Sequence, residues 1–146
     1  MQGALTMLSR LFTIWHSYRS LPLWVQVWVG GILVPANATA FLLTDTPSGH
    51  WAAWAAVFVV ATNVPIMWVE QGMSKLMSVP HLVAWIPLHV FLALRLTGSA
   101  GATPMDEAER VLIIVLLVVN GISLAFDLID SLKWWQGDRH VPGHPA

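Results

Sequence analysis

Four apolar segments of roughly 20 residues each constrain what this chain can fold into more than any other feature of its sequence. A helix of about 20 residues crosses the hydrocarbon core of a bilayer, which is about 30 Å thick. An isolated strand would leave backbone groups unpaired in lipid, so each segment must be helical. The sequence therefore predicts an all-α integral membrane protein, with four transmembrane helices in an antiparallel bundle, near residues 23–43, 51–70, 77–96 and 105–135.

The composition favours the same environment. Hydrophobic residues make up 56% of the 146 residues and charged residues only 10%, whereas a soluble domain has about 25% charged residues. The chain has no basic block, so nucleic acid is excluded as a partner, and it has no cysteine for disulfides or thiolate metal sites. We expect its partners to be the lipid bilayer and either further copies of itself or a larger membrane complex.

The two ends of the chain differ from the transmembrane domain, which we place at residues 21–136. Residues 1–20 form an interfacial amphipathic helix in this interpretation, because their apolar residues follow helical spacing while polar residues lie between them. The apolar stripe consists of Leu8, Leu11, Phe12 and Trp15. Residues 137–146 are rich in Pro and Gly, which predicts a flexible cytoplasmic tail.

Basic residues indicate the orientation of the bundle, because Lys and Arg are enriched in cytoplasmic loops. The side that holds the termini carries Arg10, Arg19, Lys75, Lys133 and Arg139. The opposite side carries only Arg95 and Arg110, together with Asp45, Asp106, Glu107 and Glu109. We therefore expect both termini in the cytoplasm, and the bacterial inner membrane as the location.

Polar side chains lie near the middle of every predicted span, where they are costly unless they face a partner or water. We call five of them the polar layer: Asn37, Asn63, His89, Asn120 and Ser123. Their shared depth predicts that Asn37 faces Asn63, His89 and Asn120 inside the bundle. The layer is either a set of interhelical hydrogen bonds or the lining of a path.

Proline provides a structural reason for polar side chains in these helices. Pro35 has no N–H and leaves the carbonyl of Gly31 without its helical partner. The preceding Gly30 and Gly31 indicate a bend or a close helix contact. A neighbouring Asn or His side chain would satisfy a carbonyl freed in this way.

Ionisable residues form a second group, the inner-mouth cluster, nearer the cytoplasmic ends of the helices: Glu70, His81, Asp127 and Asp130. Imidazole and carboxylate suit iron, manganese or zinc, so these four are also candidate metal ligands. No pair has the Glu-x-x-His spacing of di-iron bundles, and no metal or other cofactor is predicted. Ion pairs at the interface are the alternative, between Glu70 and Lys75 and between Asp130 and Lys133.

The two predicted helical hairpins share a pattern of polar positions. Pro35-Ala36-Asn37 on the first helix matches Pro87-Leu88-His89 on the third. The second and fourth helices each place a carboxylate seven residues after an Asn, namely Glu70 after Asn63 and Asp127 after Asn120. This correspondence indicates a possible 2+2 hairpin repeat.

The start of the fourth helix carries typical start signals. Thr103 is predicted to cap it, Pro104 to occupy its first turn and Asp106 to oppose its dipole. The helix would then begin about a full turn before the membrane.

Three functions remain open. The first is a non-catalytic accessory or anchor subunit of a membrane complex. The second is a homo-oligomeric proton or cation channel, or a small transporter, in which the polar layer leads into the inner-mouth cluster. The third is a membrane metal-binding protein. No serine lies in a nucleophile-elbow pattern, and we do not expect an enzyme.

Overall fold

The structure, a computed structural model, describes residues 2–101 and 103–145, and within them all regular structure is helical. The interfacial helix predicted for residues 1–20 and the tail predicted for residues 137–146 each extend one residue beyond the described part. We label the helical regions α1 (Gln2–Arg19), α2 (Leu23–Leu42), α3 (Pro47–Glu70), α4 (Ser78–Leu96) and α5 (Glu107–Trp135). A 3-10 turn, Lys75–Met77, precedes α4.

Four of these helices, α2 to α5, are long and apolar enough to cross a membrane, and α4 reaches that length together with its preceding turn. The prediction of four helices of this kind is confirmed. Their agreement with the predicted segments follows from the length of each apolar run, which the loops interrupt with polar and turn-forming residues.

Two helix starts differ from the predicted ones because of their capping residues. The helix α3 begins at Pro47, before the predicted residue 51, since the hydroxyl of Thr46 accepts a hydrogen bond from the Gly49 N–H at 3.1 Å. The prediction that Thr103 caps the last helix is wrong. Asp106 is the N-cap of α5, and its carboxylate accepts from the Glu109 N–H at 2.7 Å.

The helix α2 changes its winding around Pro35. An α-helical turn, Leu23–Val27, leads into a π-helical stretch, Trp28–Leu33, and then into an α-helical segment and a 3-10 end. A π-helical turn widens the helix, and it lies where the proline removes a backbone donor. The amide of Asn37 donates to the carbonyl of Leu33 at 3.0 Å. An Asn does bind a backbone carbonyl here, although it is not the carbonyl of Gly31.

The large apolar side chains that are fully buried lie between α4 and α5. Leu92, Ile113 and Leu116 have no exposed surface, and Ala40 from α2 and Ala52 from α3 complete the same core. Large apolar side chains also cover the outer faces of the helices, where they are exposed. The chain therefore has an apolar core and an apolar exterior.

The polar side of α1 contacts the rest of the molecule. The guanidinium of Arg10 donates to the carbonyl of Trp68 at 3.3 Å and lies over its ring. Ser17 is fully buried and accepts from the Met73 N–H at 2.9 Å. A side chain at Gly72 would approach the Ser17 hydroxyl to 2.5 Å, so only glycine fits there. The apolar stripe of α1 is left exposed: Leu8, Leu11, Phe12 and Trp15.

The chain after α5 folds back towards α1 and the turn between α3 and α4. Val141 is buried, and a ring nitrogen of His144 lies 3.1 Å from the carbonyl of Gln71. Lys75 forms an ion pair with Asp138 at 3.2 Å. The Pro and Gly of this segment form turns between these contacts, whereas the composition alone predicts flexibility.

Candidate functional site

Two members of the polar layer form a reciprocal amide pair between α2 and α5. Asn37 donates to the Asn120 side-chain oxygen at 2.7 Å, and Asn120 donates back at 2.9 Å. Their exposed fractions are 8% and 0%. This pair joins two helices, and the side-chain oxygen of each residue accepts a hydrogen bond from the other.

Another member, His89, lies between α4 and α5. One ring nitrogen lies 3.1 Å from the carbonyl oxygen of Trp85, and the other lies 3.2 Å from that of Leu117. Carbonyl oxygens only accept, and a neutral imidazole has a single N–H, so the neutral ring satisfies one carbonyl at a time. The imidazole therefore contacts helix backbone rather than other members of the layer.

The remaining two members have separate partners. Ser123 accepts from the indole N–H of Trp28 at 3.0 Å, which joins α5 to α2. Asn63 hydrogen-bonds to His81, a member of the inner-mouth cluster. Of the three residues predicted to face Asn37, only Asn120 shares a hydrogen bond with it among the described side chains.

Three hydrogen-bonded side chains connect α3, α4 and α5, with His81 of the inner-mouth cluster in the middle. The side-chain nitrogen of Asn63 lies 3.2 Å from Nε2 of His81, and Nδ1 of His81 lies 3.2 Å from a carboxylate oxygen of Asp127. The indole of Trp85 stacks on the imidazole, with ring centroids 4.4 Å apart. We call Asn63, His81, Trp85 and Asp127 the His81 site.

Polar atoms of the His81 site are left without hydrogen-bond partners. Within the described residues, four buried side-chain atoms have none: Asn63 Oδ1, Trp85 Nε1, Asp127 Oδ2 and Ser131 Oγ. Three of them belong to the His81 site, where Asn63 is 5% exposed and Trp85 is 3% exposed. Buried unpaired polar atoms cost stability and are rare, so their concentration around one imidazole distinguishes this site.

The rest of the inner-mouth cluster stays apart from this chain. Glu70 and Asp130 are half-buried and form no ion pair within 4 Å among the described residues, so the pairs predicted with Lys75 and Lys133 are absent there. Lys75 binds Asp138 instead, since the chain folds back after α5. In the part of the chain that the structure describes, no three His, Asp or Glu residues come together to hold a metal ion.

Asp138, in the chain after α5, has surroundings that favour its charged form. The hydrogen bond from Lys75 lowers the pKa of Asp138, and the N–H of His140, at 3.3 Å, acts in the same direction. The carboxylate is exposed, so water screens the pair.

A buried ion pair links the first residues of α3 and α5 to the last residues of α4. The guanidinium of Arg95 donates to both carboxylate oxygens of Glu109, at 3.0 and 2.9 Å. The hydroxyl of Ser48 donates to the same carboxylate at 2.6 Å. We call Ser48, Arg95 and Glu109 the Arg95 clasp, whose members are 0%, 3% and 1% exposed.

The remaining donors of Arg95 are also used. They reach carbonyl oxygens of the loop between α4 and α5, the closest being that of Thr103 at 2.8 Å. A side chain at Gly101 would approach the guanidinium to 2.5 Å. Sequence reasoning missed the clasp, because it counted Arg95 and Glu109 only as charges that set orientation. The sequence signal for an ion pair between them was their position on either side of one loop, at the ends of two apolar helices.

An open apolar groove of about 440 Å³ lies between α3 and α4. Its lining includes Trp54, Phe58, Val83, Pro87 and Phe91. It contains no titratable side chain, so it offers a surface for apolar contact and no site for chemistry.

No protein-family model, curated protein or solved structure matches this chain.

Proposed function

We propose that this chain is an integral membrane protein whose helices α2 to α5 cross the bilayer as an antiparallel bundle. The length and apolar surface of these helices support the proposal. The arrangement of α1 adds to it, because this helix turns its polar residues towards the protein and leaves its apolar stripe exposed. Such a helix suits the surface of a membrane.

In this proposal both termini lie in the cytoplasm and the membrane is the bacterial inner membrane. Fusion of reporters to each end tests the orientation. A green fluorescent protein at either terminus should fluoresce, whereas alkaline phosphatase should be inactive there and active in the loop between α4 and α5. Active phosphatase at either terminus would contradict the orientation.

We further propose that the protein is a non-catalytic accessory or anchor subunit of a membrane complex. The observation that carries this proposal is the pairing of the polar layer. Asn37 binds Asn120, His89 faces two backbone carbonyls, and Ser123 binds Trp28. Side chains bonded in this way hold helices together and do not line a continuous path.

Two measurements test the proposal that the protein is an accessory or anchor subunit. The purified chain in liposomes should carry no proton or cation flux above that of empty liposomes. A photo-crosslinking residue in place of Phe58, inside the groove, should give a discrete protein adduct in native membranes. The matched control is Ile114, which is similarly exposed but lies outside the groove lining. If Phe58 and Ile114 were labelled equally, and only by lipid, the proposal that the subunit docks through this groove would be contradicted.

A proton or cation path in a homo-oligomer is the second candidate, favoured by the unpaired polar atoms of the His81 site. It predicts a flux in liposomes that His81→Gln abolishes while the protein remains folded. The same result would reject the accessory role as the sole function.

A further inference from the structure

We propose that the exposed side of α1 binds anionic phospholipids in the membrane leaflet on the side of the two termini. The acyl chains lie against the apolar stripe of α1, and the phosphate groups bind basic side chains at the same end of the molecule. The inference rests on the proposed membrane location and adds the class of lipid that this surface selects. Unpaired positive charge beside a fixed apolar stripe carries it.

The basic residues of the chain divide into paired and unpaired ones. Three of the seven Lys and Arg residues have a carboxylate partner, namely Lys75, Arg95 and Arg110. The other four form no ion pair within 4 Å in the part of the chain that the structure describes: Arg10, Arg19, Lys133 and Arg139. We call these four the unpaired cations.

The unpaired cations lie at one end of the molecule. Two of them are on α1, and the other two, Lys133 and Arg139, lie in the last turn of α5 and in the chain that follows it. That chain crosses α1, since a side chain at Gly143 would approach the ring of His16 to 2.8 Å. The guanidinium of Arg139 is exposed and lies 3.6 Å from the centre of the Trp134 ring. The same end of the bundle therefore collects all the positive charge that no carboxylate neutralises.

The two arginines of α1 are held by neutral groups. One nitrogen of Arg10 donates to the carbonyl of Trp68, and one nitrogen of Arg19 donates to the side-chain oxygen of Gln26 at 2.7 Å. A guanidinium has five N–H donors, and a phosphate can accept two of them in parallel. Both arginines are thus positioned and still have donors for an anion.

Acidic residues do not cancel this charge. No Asp or Glu precedes Asp45, so α1 itself carries none. The acidic residues at this end of the bundle are Glu70, Asp127, Asp130 and Asp138. Asp138 is paired with Lys75, and the other three lie on α3 and α5, where they are partly buried. The exposed charge around α1 is positive and complements an anionic membrane surface.

The apolar stripe favours a phospholipid over a soluble anion. Arg19 lies one turn after Trp15, so the exposed stripe ends in a cation on the same face of α1. The hydroxyl of Tyr18 donates to the carbonyl of Gln26 at 2.7 Å, which fixes α1 against α2. A phospholipid supplies acyl chains for the stripe and a phosphate for the cation, whereas free phosphate matches the charges alone.

Fluorescence quenching by brominated lipids tests the proposal. The chain has no cysteine, so Phe12→Cys, at a side chain that is 71% exposed, places one fluorophore on the stripe. The full chain is held in nanodiscs of phosphatidylglycerol and phosphatidylcholine in equal amounts, with bromine on the acyl chains of one lipid at a time. Brominated phosphatidylglycerol should quench about threefold more strongly, because basic residues attract anionic lipid. Leu42→Cys, at the opposite end of α2 and 82% exposed, is the matched control and should be quenched equally by both lipids.

Removal of the charges of α1 should remove the preference. Arg10→Gln combined with Arg19→Gln should bring the ratio of quenching at position 12 close to one. Arg110→Gln, at the other end of the bundle, should leave the ratio unchanged. If the double variant fails to fold, salt provides the same test on the labelled chain, because charges are screened within about 3 Å at 1 M.

The outcomes separate this proposal from the membrane location on which it rests. Equal quenching by the two lipids at position 12 would overturn the lipid preference and leave α1 at the membrane surface. Absence of quenching by either lipid would contradict both. A preference that persists at about 1 M salt and without the two arginines would also overturn the proposal, because charge would then not select the lipid.

Discussion

The Arg95 clasp and the His81 site connect the same three helices, but they differ in how many of their polar atoms are hydrogen-bonded. Each joins α3, α4 and α5 through an ionisable side chain, which is buried in the clasp and partly buried in the His81 site. In the clasp, both oxygens of Glu109 accept hydrogen bonds and the guanidinium donors reach Glu109 or the adjoining loop. In the His81 site, an oxygen of Asn63 and an oxygen of Asp127 accept none.

This difference separates a fully hydrogen-bonded contact from one that keeps unpaired polar atoms. A fully bonded polar network fixes one geometry, and breaking it leaves a buried charge. A network with unpaired atoms is less stable than its fully bonded equivalent, so stability alone does not account for it. Substitution in the clasp should therefore lower the stability of the protein more than substitution in the His81 site.

The largest expected effect is on the clasp. Arg95→Met leaves Glu109 buried without a counter-charge and should lower the free energy of unfolding by about 3 kcal/mol, the lower end of the usual range because the pair lies at helix ends. Unfolding by SDS in mixed micelles measures this. Arg95→Met combined with Glu109→Leu should recover most of the loss. Arg110→Met, at an exposed neighbour, should cost less than about 1 kcal/mol.

A smaller loss is expected at the amide pair. Asn120→Leu removes both hydrogen bonds to Asn37 and should lower the free energy of unfolding by about 1–2 kcal/mol. The Asn37 amide keeps its bond to the carbonyl of Leu33, which limits the cost. The double variant with Asn37→Leu should cost less than the sum of the two single variants. Strict additivity would mean that the amides do not interact.

The His81 site should tolerate a change that the clasp does not. Asn63→Leu removes one hydrogen bond and also the unpaired oxygen, so the free energy of unfolding should change by less than about 1 kcal/mol. The same unfolding assay compares it directly with Arg95→Met. A loss as large as that of Arg95→Met would remove the distinction between the two regions.

The smallest effect concerns the exposed pair of Lys75 and Asp138. Because the pKa of Asp138 is lowered in the folded state, its contribution is present above the unfolded value, about 3.9, and is lost as the pH falls through the folded value. Asp138→Asn should remove this slight acid dependence from the unfolding curve. Asp45→Asn, at another exposed carboxylate, should leave it unchanged.

The helices were predictable and their contacts were not. An apolar run of membrane length leaves few alternatives to a helix, so α2 to α5 follow from the sequence. Their starts depend on single side chains, and Thr46 and Asp106 capped helices that the apolar pattern placed at other residues. Hydrophobicity locates a span but does not identify its first turn.

The partners of the polar residues depend on how each helix is rotated. Counting residues gives the depth of Asn63 and His81, but not the direction in which they point. Depth placed Asn63 in one layer with Asn37, whereas its side chain reaches His81. The proposed repeat also fails to give the partners of its polar residues. Asn120 corresponds to Asn63 in the repeat, but Asn120 binds the amide of Asn37, whereas Asn63 binds the imidazole of His81. The repeat stays a prediction.

The amide of Asn63 provides the most direct test of the distinction between the two regions. Side-chain NMR of the unmodified chain in nanodiscs can follow the hydrogen exchange of the amides of Asn63, Asn37 and Asn120. The Asn63 amide, whose oxygen has no partner, should exchange faster than the reciprocal pair of Asn37 and Asn120. Equally slow exchange at all three amides would contradict the account.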